Sequence, residues 1–137
     1  MGKNILAGIV GVVLAGSIIM IVEMVGHTMF PPPPDLDFSD VDAMRSYVST
    51  LPAGAFLSVV LAWTLGAFGG TLVASKIGNA RALIFACIIG GLILAGTAYN
   101  LVTIPHPLWV AIVGIAGIVG GAWFGMRLGS AKAAPSE

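Results

Sequence analysis

Glu23 and His27 stand four residues apart in an otherwise apolar stretch, so a helix there places both side chains on one face. Gly16 and Met20 share that spacing, which points the face toward other helices rather than lipid. The second histidine, His106, sits between two prolines in Ile104-Pro105-His106-Pro107. Glu23 is the only acid within or beside an apolar run, and Tyr99 and Asn100 are placed to join it. Two imidazoles and a carboxylate suit zinc or another divalent metal with open coordination positions, which makes Glu23, His27 and His106 the candidate metal ligands. The Glu–His pair could equally pass protons, since both groups titrate near neutrality when perturbed. Met20, Met24 and Met29 add thioethers that would suit copper, whereas haem would need two axial ligands facing each other across a bundle. A structural role stands beside these: Glu23 at headgroup level bonded to His27 or a loop amide, and His106 orienting a tight turn. On that reading no cofactor is needed.

No Ser-His-Asp set, phosphate loop or Cys-x-x-Cys occurs, so a non-enzymatic protein is expected. The single cysteine, Cys87, lies in an apolar run and is expected to act as a small packing residue.

The elements that must position these groups follow from hydropathy. Of 137 residues, 58% are hydrophobic and 9% charged, with a mean hydropathy of +1.03. A soluble domain carries about 25% charged residues to face water, so lipid is expected to cover much of this surface. Zero net charge argues against a nucleic-acid partner, which requires clustered Lys and Arg. Four runs, residues 5–22, 54–75, 82–104 and 108–126, contain no charge. Each has at least the ~18 residues that can cross a hydrocarbon core of roughly 30 Å. Because backbone groups in lipid must be satisfied internally, they are expected to be helices, over about 5–27, 53–75, 82–102 and 108–128 of a single domain. The first run lacks a convincing small-x-small cleavage site and reads as a retained helix rather than a signal peptide. Gly2 is not followed by the Ser or Thr of a myristoylation motif.

Lys3, Lys76, Arg81, Arg127 and Lys132 flank one side, against Arg45 alone on the other. The positive-inside rule therefore places both termini in the cytoplasm of a bacterial inner membrane. Glu23, His27 and His106 then lie at the outer end. The outer loop, 31–52, begins with the stiff run Pro31 to Pro34 and holds Asp35, Asp37, Asp40 and Asp42. Ser39, with a carboxylate three residues on, reads as an N-cap. Val41, Met44, Val48 and Leu51 then recur on one face, predicting a short amphipathic helix that lies on the membrane or caps the bundle. Trp109 and Trp123 suit the two aromatic belts, Trp63 suits packing at mid-depth, and Ser17, Thr64 and Thr97 are expected to bond to their own helix carbonyls.

Small residues recur every four positions: Ala62, Gly66, Gly70 and Ala74 in the second span, and Gly117, Gly121, Gly125 and Gly129 in the fourth. Such grooves allow close helix packing where lipid removes the hydrophobic drive, against neighbours or in a homodimer. Gly66, Gly70, Lys76, Gly78 and Ala80 reappear 51 residues later as Gly117, Gly121, Arg127, Gly129 and Ala131. Leu14-Ala15-Gly16-Ser17 is echoed by Leu94-Ala95-Gly96-Thr97. Two tandem helical hairpins would produce such a pattern. The fold class expected is thus all-α, a four-transmembrane-helix bundle with a short outer amphipathic helix.

Glu23-x-x-x-His27, the proline run, Leu51-Pro52-x-Gly54-Ala55 and Ile104-Pro105-His106-Pro107 together resemble a group of small, uncharacterised four-helix bacterial inner-membrane proteins. The resemblance spans nearly the whole chain and implies no activity. Small multidrug-resistance transporters offer a contrast: they too have four short helices and a glutamate in the first. Here Glu23 comes late in the first span and a long loop follows it. A membrane interaction or accessory protein is expected, with a small proton-coupled transporter or a metal-binding membrane protein as alternatives, and lipid and a second copy as partners.

Overall fold

The computed structural model describes residues 2–78 and 81–130. Ala80, Ala131 and Lys132, used above for the repeat and the charge count, lie outside the described residues. Five helices follow one another: α1 (Gly2–Met29), α2 (Val41–Thr50), α3 (Ala53–Gly78), α4 (Ala82–Thr103) and α5 (Leu108–Ser130). All but α2 are long and apolar enough to cross a membrane, so the protein is a transmembrane helical bundle with a short helix appended. Its apolar surface agrees: Ile5, Leu6, Met20, Val102 and Leu108 are all exposed, which is tolerable only against hydrocarbon. Cys87 is exposed on α4 as well, so it faces outward rather than packing in the core.

The helix at the centre is α3. On one side Gly66 and Gly70 meet Ala15 and Gly11 of α1: a Cβ at Gly11 would stand 2.8 Å from the Gly70 carbonyl oxygen. Ala7, Gly11 and Ala15 form the matching strip on α1, all of them buried. The order of contacts descends, Gly11 with Ala74, Ala15 with Gly66, Gly26 with Ser58, so α1 and α3 are antiparallel. On the other side Gly117, Gly121, Gly125 and Gly129 of α5 lie against Thr64, Phe68, Leu72 and Ser75 of α3, in ascending order and therefore parallel. A Cβ at Gly121 would be 2.6 Å from the Thr64 carbonyl oxygen, and one at Gly129 2.6 Å from that of Leu72. Missing side chains let the two backbones come this close, and dispersion replaces the hydrophobic drive that lipid removes.

The two hairpins suggested by the repeat are consequently not packed alike. Gly66 turns toward α1, the helix before it, but its counterpart Gly117 turns toward α3 and not α4. The seam between α4 and α5 is looser, with a Cβ at Gly90 reaching Ala122 only at an ordinary 3.4 Å. Ile118, Val110, Ala67 and Trp63 fill the larger core around α3 and α5, and Ala7, Ala74, Phe85 and Ile89 a second one near the opposite end.

Helix α2 begins one residue later than its sequence suggests. Asp40 is the N-cap, its Oδ1 accepting from the amides of Asp42 (2.9 Å) and Ala43 (3.2 Å). Ser39 instead donates both its amide (2.8 Å) and its hydroxyl (2.6 Å) to Asp37. Asx turns of this kind compete with a Ser cap, and the carboxylate closest to the helix wins. Of the predicted apolar face, Val48 is buried and Met44 and Leu51 pack on the core, joined by Tyr47, whereas Val41 is exposed. Helix α2 therefore caps the bundle.

Candidate functional site

Under α2 lies a cavity of about 550 Å³. Its floor is the end of α1, its sides are α3 and the α4–α5 connection, and α2 supplies Met44, Tyr47, Val48 and Leu51 as a roof. Glu23, His27, His106 and Asn100 all line it. The expected polar cluster is therefore gathered at one end of the bundle, but its members occupy different walls.

Glu23 is half-buried. Its polar neighbours are His27, one turn on, and the indole of Trp63 from α3. Gly26, on the same turn, is buried because α3 closes on it: a Cβ there would stand 2.6 Å from Ser58 Oγ. Ser58 in turn donates to the Ala55 carbonyl at 2.7 Å, so its hydroxyl is held by its own helix. The α1 face that meets other helices is thus Ala15, Ile19 and Gly26, with Glu23 on its border. Met20 is exposed and a Cβ at Gly16 would meet nothing within 4 Å, contrary to the expectation that this pair faces inward. Met24 and Met29 are exposed too, and none of these three methionines lines the cavity.

His106 is held from both sides. Its Nδ1 lies 2.8 Å from the Ile104 carbonyl oxygen. A carbonyl only accepts, so Nδ1 carries the hydrogen and donates, leaving Nε2 as the free position. The ring packs edge-on to Phe56, centroids 5.9 Å apart at 68°, and lies 6.5 Å from the Trp63 ring. Phe56 also meets Trp109 edge-on at 6.2 Å. Prolines on either side fix the backbone on which this ring is mounted, and Pro107 accepts the first α5 bond, from the Val110 amide at 2.9 Å.

Among the described residues, no group of three or more His, Cys, Asp or Glu side chains comes close enough to hold a metal ion. Glu23, His27 and His106 line one cavity, with His106 on a different wall from α1. Tyr99, expected nearby, is exposed outside the cavity, whereas Asn100 lines it with its Oδ1 buried and unpartnered.

No family model, curated protein or solved structure matches this chain. The chemistry of the cavity must be read from its own walls.

Those walls are mostly apolar and aromatic: Phe30, Phe38, Phe56, Tyr47, Met44 and Val59 surround the few polar groups. None of the lining residues is Lys or Arg, so Glu23 faces no fixed cation other than what His27 can carry. Sequence reasoning found the polar groups but not the aromatic walls, which come from four separate segments. The signal available was the recurrence of Phe and Tyr within and beside the 31–52 loop, at Phe30, Phe38, Tyr47 and Phe56.

Away from the cavity, the loop ahead of α2 is set by Asp37. The hydroxyl and the amide of Ser39 both donate to it and hold its carboxyl below the usual carboxylate range. Arg45 pairs with Asp42 at 3.7 Å, an exposed contact that contributes little.

Proposed function

We propose that the protein is a non-enzymatic membrane-embedded binding protein whose capped cavity takes a small amphipathic ligand bearing a positively charged amine. The observation that carries this reading is Glu23: a half-buried carboxylate in an aromatic-walled cavity that contains no Lys or Arg. A carboxylate at this depth is costly unless something opposes its charge. Aromatic faces attract the same cations that a carboxylate does. His106 adds a free Nε2 that can accept an N–H, and Asn100 adds an amide. Volumes of this size suit drug-sized molecules. A protein that presents or sequesters such a ligand for a partner would act as an accessory subunit.

The supporting orientation is that of a bacterial inner-membrane protein with α2 on the periplasmic side. Lys3, Lys76, Arg81 and Arg127 flank the far end, Arg45 alone lies at the α2 end, and both termini belong with the cytoplasm on that count. Self-association through small residues would use Gly91 or Gly120, since Gly117, Gly121 and Gly125 already meet α3 and Gly66 and Gly70 meet α1. Isothermal titration of the purified protein with butylammonium tests the cavity: saturable binding is expected in the wild type and weakening by at least about tenfold in Glu23→Gln. Equal affinity in both proteins refutes the reading.

One further feature favours a second role. A cavity that reaches the only intramembrane carboxylate is what a proton-coupled carrier needs. Counterflow of labelled butylammonium in proteoliposomes under a pH gradient separates the two: uptake that follows the gradient indicates a carrier, and binding without uptake an accessory role.

A further inference from the structure

Asn100 marks the boundary between the capped cavity and a neighbouring hollow. This second hollow, of about 310 Å³, runs down the seam between α1 and α4 past Ala15, Gly16, Gly96 and Thr97. Val12 then belongs both to this hollow and to a third, of about 490 Å³, lined by Ile5, Ile9, Ile84 and Phe85 and ending at Asn4 and Arg81. Three neighbouring hollows therefore follow one side of the bundle, the first with an acid in its wall and the other two walled mainly by hydrocarbon. Space remains there because α1 and α4 approach most closely lower down, around Gly11 and Ile89, and because Gly16 and Gly96 have no side chain to fill the gap: a Cβ at either would meet nothing within 4 Å.

From this adjacency through Asn100 we infer that the ligand of the capped cavity is a long single-chain amphiphile, drawn sideways from the bilayer, whose amine sits at Glu23 and whose tail lies along the α1–α4 crevice. The inference rests on the reading of the cavity as an amine site. Dimensions support a chain over a helix as the occupant. Asn100 and Ile89, at the two ends of the upper hollow, are eleven residues apart on α4 (100 − 89), or about 16 Å of helix. One leaflet of a ~30 Å core is about 15 Å deep. The upper hollow is thus one leaflet long, and a partner helix, about 10 Å across, would not fit between α1 and α4 where Gly11 and Ile89 meet. Polarity supports the direction. Thr97 and Asn100, each with an unpartnered side-chain oxygen, lie at the cavity end, and below them the lining of the upper hollow is aliphatic. Head and tail are therefore assigned by the walls themselves.

Trp63 borders the upper hollow and reports on it. The test uses the full chain in phosphatidylcholine nanodiscs, with Trp109→Phe and Trp123→Phe so that Trp63 alone fluoresces. The probe is hexadecylammonium brominated at mid-chain, compared with the equally brominated hexadecyl sulfate and with butylammonium. Saturable quenching by the ammonium probe is expected, with the sulfate quenching only in proportion to its membrane concentration. Gly16→Leu/Gly96→Leu fills the crevice where the fold leaves space, and half-maximal quenching should then need at least about tenfold more probe. Quenching that never saturates, or that the double variant leaves unchanged, overturns the inference. Butylammonium separates the two failures: if it still binds while the long-chain probe shows no saturable site, the cavity reading stands and the crevice is empty of tails. If neither binds, the cavity reading falls and takes the crevice with it.

Discussion

Gly121 of α5 lies so close to Thr64 of α3 that a Cβ placed on it would stand 2.6 Å from the Thr64 carbonyl oxygen. The obstacle is backbone, which cannot swing aside as a side chain does, so the two helices would have to separate. Gly121→Ala should therefore destabilise the bundle by about 1–3 kcal/mol, the usual cost of overpacking. Gly120→Ala, next in the chain but with nothing within 4 Å, should change stability by less than about 0.5 kcal/mol. Reversible unfolding in mixed micelles of increasing sodium dodecyl sulfate measures both. Equal effects would show that α3 and α5 are not in backbone contact.

The turn at His106 depends on one donor. His106→Ala removes the N–H that Ile104 accepts and should cost about 1 kcal/mol. His106→Asn restores a short side chain able to donate to the same carbonyl and should recover most of that stability. It does not restore the ring that packs on Phe56. The same unfolding assay, run on the three proteins, checks the order wild type, Asn, Ala.

Capping of α2 should respond to Asp40 and not to Ser39. Asp40→Ala leaves the Asp42 and Ala43 amides without their acceptor and should weaken α2 by about 1 kcal/mol. Hydrogen exchange at the Tyr47 and Val48 amides, which lie in the roof of the cavity, should accelerate accordingly. Ser39→Ala should leave those amides unchanged.

Ser39 has a different readout. Its two donors favour the ionised form of Asp37, so the folded carboxyl titrates below its unfolded value. The stabilising contribution is fully present above the unfolded value of about 3.9 and is lost as pH falls through the folded one. Carbon-13 titration of Asp37 should give a midpoint below the ordinary value for Asp, and Ser39→Ala should move it upward. An unchanged midpoint would mean the turn does not persist in solution.

How much of this was readable beforehand depends on which force decides each feature. Hydropathy alone marks the spans, since a run such as 82–104 without a charge has one stable home. It cannot tell which helix is central, because Gly66 and its counterpart Gly117 sit in the same four-residue spacing of small residues and differ in the partner they meet. Glu23, His27 and His106 stood out as polar groups in apolar surroundings, and all three line one cavity. That they lie on different walls of it depends on how α1 and the α4–α5 connection pack, which no residue pattern reveals. Thr97 shows the same limit from the other side. Thr64 and Ser17 bond to Val60 and Val13 as helix hydroxyls do, but Thr97 does not, and nothing in the sequence around it differs in kind.

The position of α3 has a consequence for how the protein is made. Membrane helices leave the ribosome in order, but α5 packs most closely on α3 rather than on α4, made just before it. Until residues 108–130 emerge, the second face of α3 has no protein beside it. Thr71 and Ser75, wholly enclosed in the finished bundle and without hydrogen-bond partners there, spend that interval against lipid or against whatever chaperones the nascent chain. A nascent chain arrested after α4 would hold both pieces of the binding cleft walls contributed by α1 and α4, yet lack the helix that clamps their common support in place.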